Sequence, residues 1–139
     1  MSARDFFHTI VKNALIKEGW QITHDPFSVS FGGINMSVDL GSQKLIAAEN
    51  SQQKIAVEIK SFLPQSSAIS EFHTALGQYM NYRAVLTRKE PERSLYLAIP
   101  IEVYNTFFQL ELPQIMIAEN NVKLIVYDPE EEVIVEWKN

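Results

Sequence analysis

A glutamate and a lysine two residues apart, in Ile55-Ala56-Val57-Glu58-Ile59-Lys60, are the side chains of this chain best placed to do chemistry. In a β-strand, alternate side chains point to opposite faces, so Ile55, Val57 and Ile59 share one face and Glu58 and Lys60 the other. An upstream run, residues 34–40, repeats the pattern. Ile34, Met36, Val38 and Leu40 form its apolar side, and Asp39 stands on the polar one. If both strands lie in one sheet, Asp39, Glu58 and Lys60 converge on one solvent-facing spot. Asp39 and Glu58 could then hold a hard divalent cation such as Mg²⁺ or Mn²⁺, with the carbonyl of Ile59 as a neutral third oxygen. Lys60 could orient a water or offset charge building on a phosphate. Phosphodiester cleavage needs these things: an activated water, neutralised charge on phosphorus and a stabilised leaving oxygen. Two nearby carboxylates would keep Lys60 protonated unless the metal offsets them.

Acid-x-lysine on a strand is also a common surface pattern, so the elements around it matter. In the second helix Gln78 and Tyr82 are four residues apart and stack on one face, together with Glu71 and Ala75. That face is offset from an expected buried stripe of Ile69, Phe72, Leu76 and Tyr79. Packed beside the motif strand, the helix would aim Gln78 and Tyr82 into the same cleft; alternatively, Tyr82 is a half-buried packing residue. Glu49, ending the middle strand, is either a third acid of the cleft or an ordinary strand-end glutamate. His24, beside Asp25-Pro26, organises a turn. Gly77, inside a helix, costs up to ~1 kcal/mol relative to alanine. Its presence suggests a close approach to a strand or substrate, or close packing alone.

The element order follows from periodicity and punctuation. Residues 4–18 read as an amphipathic helix carrying Phe6, Phe7, Ile10, Val11, Ala14 and Leu15, ended by Gly19. A short extended piece leads to Asp25-Pro26. Strands are expected at about 27–40 (broken near Gly32-Gly33), 43–49 and 54–62, with tight joints that favour antiparallel neighbours. Pro64-Gln65-Ser66-Ser67 precedes a helix at 67–87. A charged loop at 88–93, an internal strand at 95–99, a helix at 101–109 and a hairpin of 122–127 with 133–137 complete the chain. This order predicts an α+β fold: one domain, 1–139, with a central mixed sheet flanked by helices.

The 139 residues suffice for a real core, and 46% of them are hydrophobic. There are no cysteines, which excludes disulfides, thiolate zinc sites and a cysteine nucleophile. Three scattered histidines argue against a histidine zinc site. No apolar run approaches the ~18–20 residues of a membrane span and no signal pattern opens the chain, so a cytoplasmic location is expected. The net charge of −5 argues against coating duplex DNA by bulk electrostatics. Arg83, Arg88, Lys89 and Arg93 nonetheless cluster mid-chain, either to meet phosphates or as a solvated loop. Phe107, Phe108, Leu110 and Ile115 are candidates for core burial or for a homo-oligomer contact.

Asp39, then Glu58-x-Lys60, then Gln78-x-x-x-Tyr82 resembles the PD-(D/E)xK nuclease superfamily, with its restriction-endonuclease-like fold. The glutamine-and-tyrosine helix is similar to that of its RecB-type and Holliday-junction-resolvase-like branches. In that fold the first helix often adds a polar group, for which Asp5 and His8 both qualify. Val38 stands where the superfamily name has proline. A closer resemblance covers nearly the whole chain. Val11-Lys-Asn-Ala-Leu15, Gly19-Trp-Gln-Ile-Thr-His-Asp-Pro26, Leu45-Ile-Ala-Ala-Glu49, Ile55-Ala-Val-Glu-Ile-Lys-Ser-Phe62 and Phe72-His-Thr-Ala-Leu-Gly-Gln78 are similar to the XisH family of fdxN element excision controlling factors. That resemblance implies a part in programmed excision of a DNA element during differentiation of nitrogen-fixing cells in filamentous bacteria. It further implies DNA, a site-specific recombinase and a small XisI-like protein as partners. The family label is genetic and leaves three roles open: a Mg²⁺- or Mn²⁺-dependent endonuclease, a non-catalytic module that assists the recombinase, or a toxin- or defence-like nuclease restrained by its partner.

Overall fold

The computed structural model describes residues 3–35 and 45–139. Helix α1 spans Ala3–Lys17, and strand β1 follows at Gln21–His24. A small hairpin, β2 (Ser30–Phe31) with β3 (Ile34–Asn35), turns at Gly32-Gly33, whose φ angles of 59° and 86° suit residues without a Cβ. Next come β4 (Leu45–Glu49), β5 (Lys54–Ile59), the long helix α2 (Ala68–Lys89) and β6 (Arg93–Pro100). Helix α3 (Ile101–Asn105), a 3₁₀ turn at Phe107–Gln109 and helix α4 (Glu111–Glu119) lead to β7 (Leu124–Asp128) and β8 (Val133–Lys138).

Six strands form one mixed sheet in the order β1-β4-β5-β6-β7-β8. β5, β6 and β7 run parallel at its centre; β1, β4 and β8 pair antiparallel outside them. A parallel pair cannot be joined by a tight turn, so α2 carries the chain from β5 to β6, and the α3–α4 segment from β6 to β7. The central strands are therefore covered on both faces, which their nearly continuous apolar runs require. Ile46, Ile55, Val57, Ala98 and Ile125 pack under α1 against Ile10, Val11 and Leu15. Ala47, Ala56, Leu95, Leu97 and Leu124 pack on the other face against Phe72, Ala75, Tyr79, Tyr82 and Leu86 of α2. The Ser67 hydroxyl caps α2 by accepting from the Ser70 N–H at 3.3 Å.

The α+β architecture, the mixed sheet and the antiparallel β4–β5 pairing match the sequence expectation. Several details differ. Residues 30–35 form a separate two-stranded sheet rather than one broken strand of the main sheet; residues 27–29 are not in a strand, with Phe27 and Val29 buried, and residues 36–40, including Asp39, lie outside the described residues. Helix α4 has no counterpart in the sequence expectation. Its Pro113 sits in the first turn, where backbone N–H groups have no partner within the helix, so it costs no hydrogen bond. The buried stripe of α2 is Phe72, Ala75, Tyr79, Tyr82 and Leu86, whereas Ile69 is exposed. Of the hydrophobics near 107–115, Phe108 is buried, while Leu110 and Ile115 are exposed. No helix of the described residues is long and apolar enough to cross a membrane.

Candidate functional site

Strand β5 presents Glu58 and Lys60 as expected on one face, but that face looks into α2 rather than into water. Each residue is only 2% exposed. The reason is topological: β5 lies between β4 and β6, and α2 crosses over the face that carries Ala56, Glu58 and Lys60. A solvent-facing pair is thus corrected to a buried one.

Gln78 reaches this pair from α2. The Lys60 ammonium donates to Gln78 Oε1 at 2.5 Å and lies 3.8 Å from Glu58 Oε2. Neither carboxylate oxygen of Glu58 accepts a hydrogen bond among the described residues. A buried carboxylate without donors is costly in its charged form. Burial accordingly pushes the Glu58 carboxyl up from 4.5 to about 8, against the opposing pull of Lys60. Tyr82, one turn beyond Gln78, is buried. Its hydroxyl is raised above the ordinary tyrosine value, first by burial and then by the Glu58 charge. Tyr82 is thus a core residue, fully rather than half-buried, that stands in the field of Glu58.

The backbone around the pair is held from both sides. Lys60 N–H donates to Ala98 O of β6 at 3.1 Å, so Glu58 and Lys60 direct their backbone groups toward β6. Alternation then turns the Ile59 carbonyl toward the β4 side, where the described residues begin at Leu45, opposite Glu58. The Lys60 carbonyl accepts from the Tyr127 hydroxyl at 3.1 Å.

The other expected residues fall elsewhere. Asp39 lies outside the described residues, and the side chain of Asp5 is likewise undescribed. Glu49 pairs with Lys54 at the opposite end of β5 from Lys60. Four residues along a strand separate it from the Glu58 position, roughly 13 Å, so it is not an acid of this cleft. His8 sits on α1, which covers the other face of the sheet. Its Nε2 is 2.7 Å from Asp25 Oδ1, and Lys12 donates to Asp25 Oδ2 at 2.6 Å. Burial alone would raise Asp25, but Lys12 and His8 outweigh it and hold the carboxyl below its usual range. His24 lies beside Thr23 and Phe27. Among the described residues a Cβ at Gly77 would meet nothing within 4 Å, so neither close packing nor a near neighbour among them explains this glycine.

The mid-chain basic cluster divides into two internally engaged arginines and two exposed cations. Arg93 is buried, donating to Glu90 and to Ile55 O at 2.9 Å each and lying over the Phe27 ring. Arg83 donates to Asn120 O and Asn121 O at the C-terminal end of α4, where a cation meets outward carbonyls. Arg88 and Lys89 remain exposed. Two contributors escaped the sequence reading. The Tyr79 hydroxyl donates to Leu95 O and accepts from Lys123 N–H, tying α2 to the sheet. Tyr127 supports Lys60, as above. Only Pro100, which leaves a neighbouring carbonyl without a donor, hints at that support in the sequence.

An under-supplied buried carboxylate suits a hard cation, and the Glu58 oxygens meet that description. No three His, Cys, Asp or Glu among the described residues are grouped to hold a metal, so a full ligand set would draw on groups outside them.

A family model described as XisH protein matches residues 1–135. The crystal structure of an fdxN element excision controlling factor protein from Anabaena variabilis is 61% identical, with a TM-score of 0.91, over 97% of this chain and 99% of that one. A crystal structure of an XisH family protein from Nostoc punctiforme PCC 73102 is also 61% identical, with a TM-score of 0.90, over 97% of this chain and all of that one. No curated protein matches.

Proposed function

Because this chain belongs to the XisH family, we propose that it serves in the excision of a DNA element as a nuclease-fold protein with a divalent-metal-dependent phosphodiester-cleaving site. One observation carries this reading. Glu58 is buried without a hydrogen-bond donor among the described residues, with the Lys60 ammonium 3.8 Å away and fixed by Gln78. A purely structural carboxylate in a core would be replaced by an apolar residue at no loss, whereas a metal-binding one must accept this cost.

Placement in the PD-(D/E)xK superfamily is supported by Glu58-x-Lys60 on a central strand and by Gln78 and Tyr82 on the crossover helix above it. Asp39, Glu58 and the Ile59 carbonyl would hold Mg²⁺ or Mn²⁺. Such an ion, when bound, acidifies a water and withdraws charge from the scissile phosphate. The protein's own groups do the rest. Gln78 Oε1 holds the Lys60 ammonium in one orientation, where its positive charge can face an anionic phosphate oxygen. Tyr82 keeps the carboxylate side of the cleft dry, which strengthens each charge interaction there. DNA is the proposed substrate; a recombinase and an XisI-like protein are the proposed partners.

A second reading, a non-catalytic module that assists the recombinase, is favoured by the net charge of −5 and by the internal engagement of Arg83 and Arg93. One assay separates the two. Purified protein is incubated with linear, branched and single-stranded DNA and Mn²⁺, beside Glu58→Gln and Lys60→Met. Nicking that both substitutions abolish, with folding intact by circular dichroism, supports the nuclease. Intact DNA in every case, together with excision control retained by the double variant, supports the module.

A further inference from the structure

β5 and β6 pair in parallel through Ile59 and Ala98, and Lys60 N–H bonds Ala98 O at 3.1 Å. The next rung of such a ladder would run from the N–H of residue 100 to the Lys60 carbonyl. Residue 100 is proline and has no N–H. A buried carbonyl at the very residue that carries the ammonium would be left without a donor, a cost comparable to a lost hydrogen bond. Tyr127 fills the gap. It pairs with Pro100 on β7, its side chain lies on the α1 face with Tyr96 and Ala98, and its hydroxyl donates to Lys60 O at 3.1 Å. The side chain is fully buried, and Phe7 of α1 meets its ring edge-on.

We infer that Tyr127 is a positioning residue for the Glu58–Lys60 pair: its hydroxyl replaces the donor that Pro100 removes and pins the end of β5, through the Lys60 carbonyl, from the face opposite the site. Glu58 and Ile59 end this strand and Lys60 follows directly, so a loose carbonyl at Lys60 loosens the presentation of all three. The consequence for a cation rests on the proposed metal site; the effect on the strand end does not.

The test compares wild type, Tyr127→Phe, the double variant Pro100→Ala/Tyr127→Phe and, as a control, Tyr96→Phe. Tyr96 is a buried tyrosine of the same face whose hydroxyl bonds Asn139 rather than β5. The first readout is amide hydrogen exchange at Lys60 and Ser61. Tyr127→Phe should speed exchange there by about threefold to tenfold, as expected for one net hydrogen bond. Tyr96→Phe should leave it unchanged. Pro100→Ala restores a backbone donor at residue 100, so the double variant should recover slow exchange. The second readout is Mn²⁺ affinity by titration calorimetry, expected to follow the same order. Unchanged exchange in Tyr127→Phe, or no recovery in the double variant, overturns the inference. If wild type binds no Mn²⁺, the metal reading fails and the exchange data alone decide the role of Tyr127.

Discussion

Replacing both charges of the buried pair by neutral side chains of similar size, Glu58→Gln/Lys60→Met, should stabilise the metal-free protein. Each residue is 2% exposed, and the carboxylate accepts no hydrogen bond among the described residues. A rise of the Glu58 carboxyl from 4.5 to about 8, at about 1.36 kcal/mol per pH unit, sets a ceiling of roughly 4–5 kcal/mol on what ionising it costs. Neutral replacement of buried ion pairs typically gains ~1–4 kcal/mol. The variant also loses the Lys60–Gln78 hydrogen bond, about 1 kcal/mol. A net gain of about 2 kcal/mol at alkaline pH is expected. The sign follows from linkage. The folded-state value lies above the unfolded one, so the wild type carries no penalty below about pH 4.5 and loses stability as pH rises toward about 8. The advantage of the variant must therefore grow across that window and then level off. Urea denaturation in EDTA, followed by circular dichroism at a series of pH values, measures it. A variant less stable than wild type near pH 8, or a difference flat across the window, refutes the reasoning.

Mn²⁺ affinity should rise with pH toward about 8, with up to one proton released per ion, because Glu58 must ionise to act as a ligand. Calorimetry in buffers of different ionisation enthalpy reads the proton count, and pH-independent binding would remove Glu58 from the ligand set. Gly77→Ala should stabilise by up to ~1 kcal/mol, since the site is helical and an added methyl meets open space; a lower denaturation midpoint would mean that something does pack there. Arg93→Met should cost about 2–3 kcal/mol by removing the charge-assisted hydrogen bonds to Ile55 O and Glu90, and Arg93→Lys should not restore it, because an ammonium lacks the guanidinium fork. Thermal unfolding of the two variants checks this, and a loss below about 1 kcal/mol in Arg93→Met would show that the buried arginine is dispensable.

Local signals are legible in the sequence. Period-2 alternation places Glu58 and Lys60 on one face of a strand, and Ser67 and Gly19 bound helices within a residue or two. What a neighbour decides is not legible there. Alternation says which side chains share a face but not what covers it, and α2 lies across the polar face of β5 that alternation alone would leave wet. Glu49 was a plausible third acid until pairing set it opposite Lys54. Arg83 and Arg93 looked like free surface charge until carbonyls of α4 and β5 claimed them.

The amino-acid order by itself determined the inventory of reactive groups, the absence of thiol chemistry, most of the order of helices and strands and the likeness to one family, because each depends on residue identity or on spacing within a few turns of chain. Tertiary structure alone decided that the glutamate finds no donor among the described residues, that the lysine leans on Gln78 and that a tyrosine from a strand two places away holds the lysine backbone. Those facts concern groups 18 to 67 residues apart in sequence, whose meeting is set by strand order and crossover, and by the desolvation that follows once both faces of the sheet are closed.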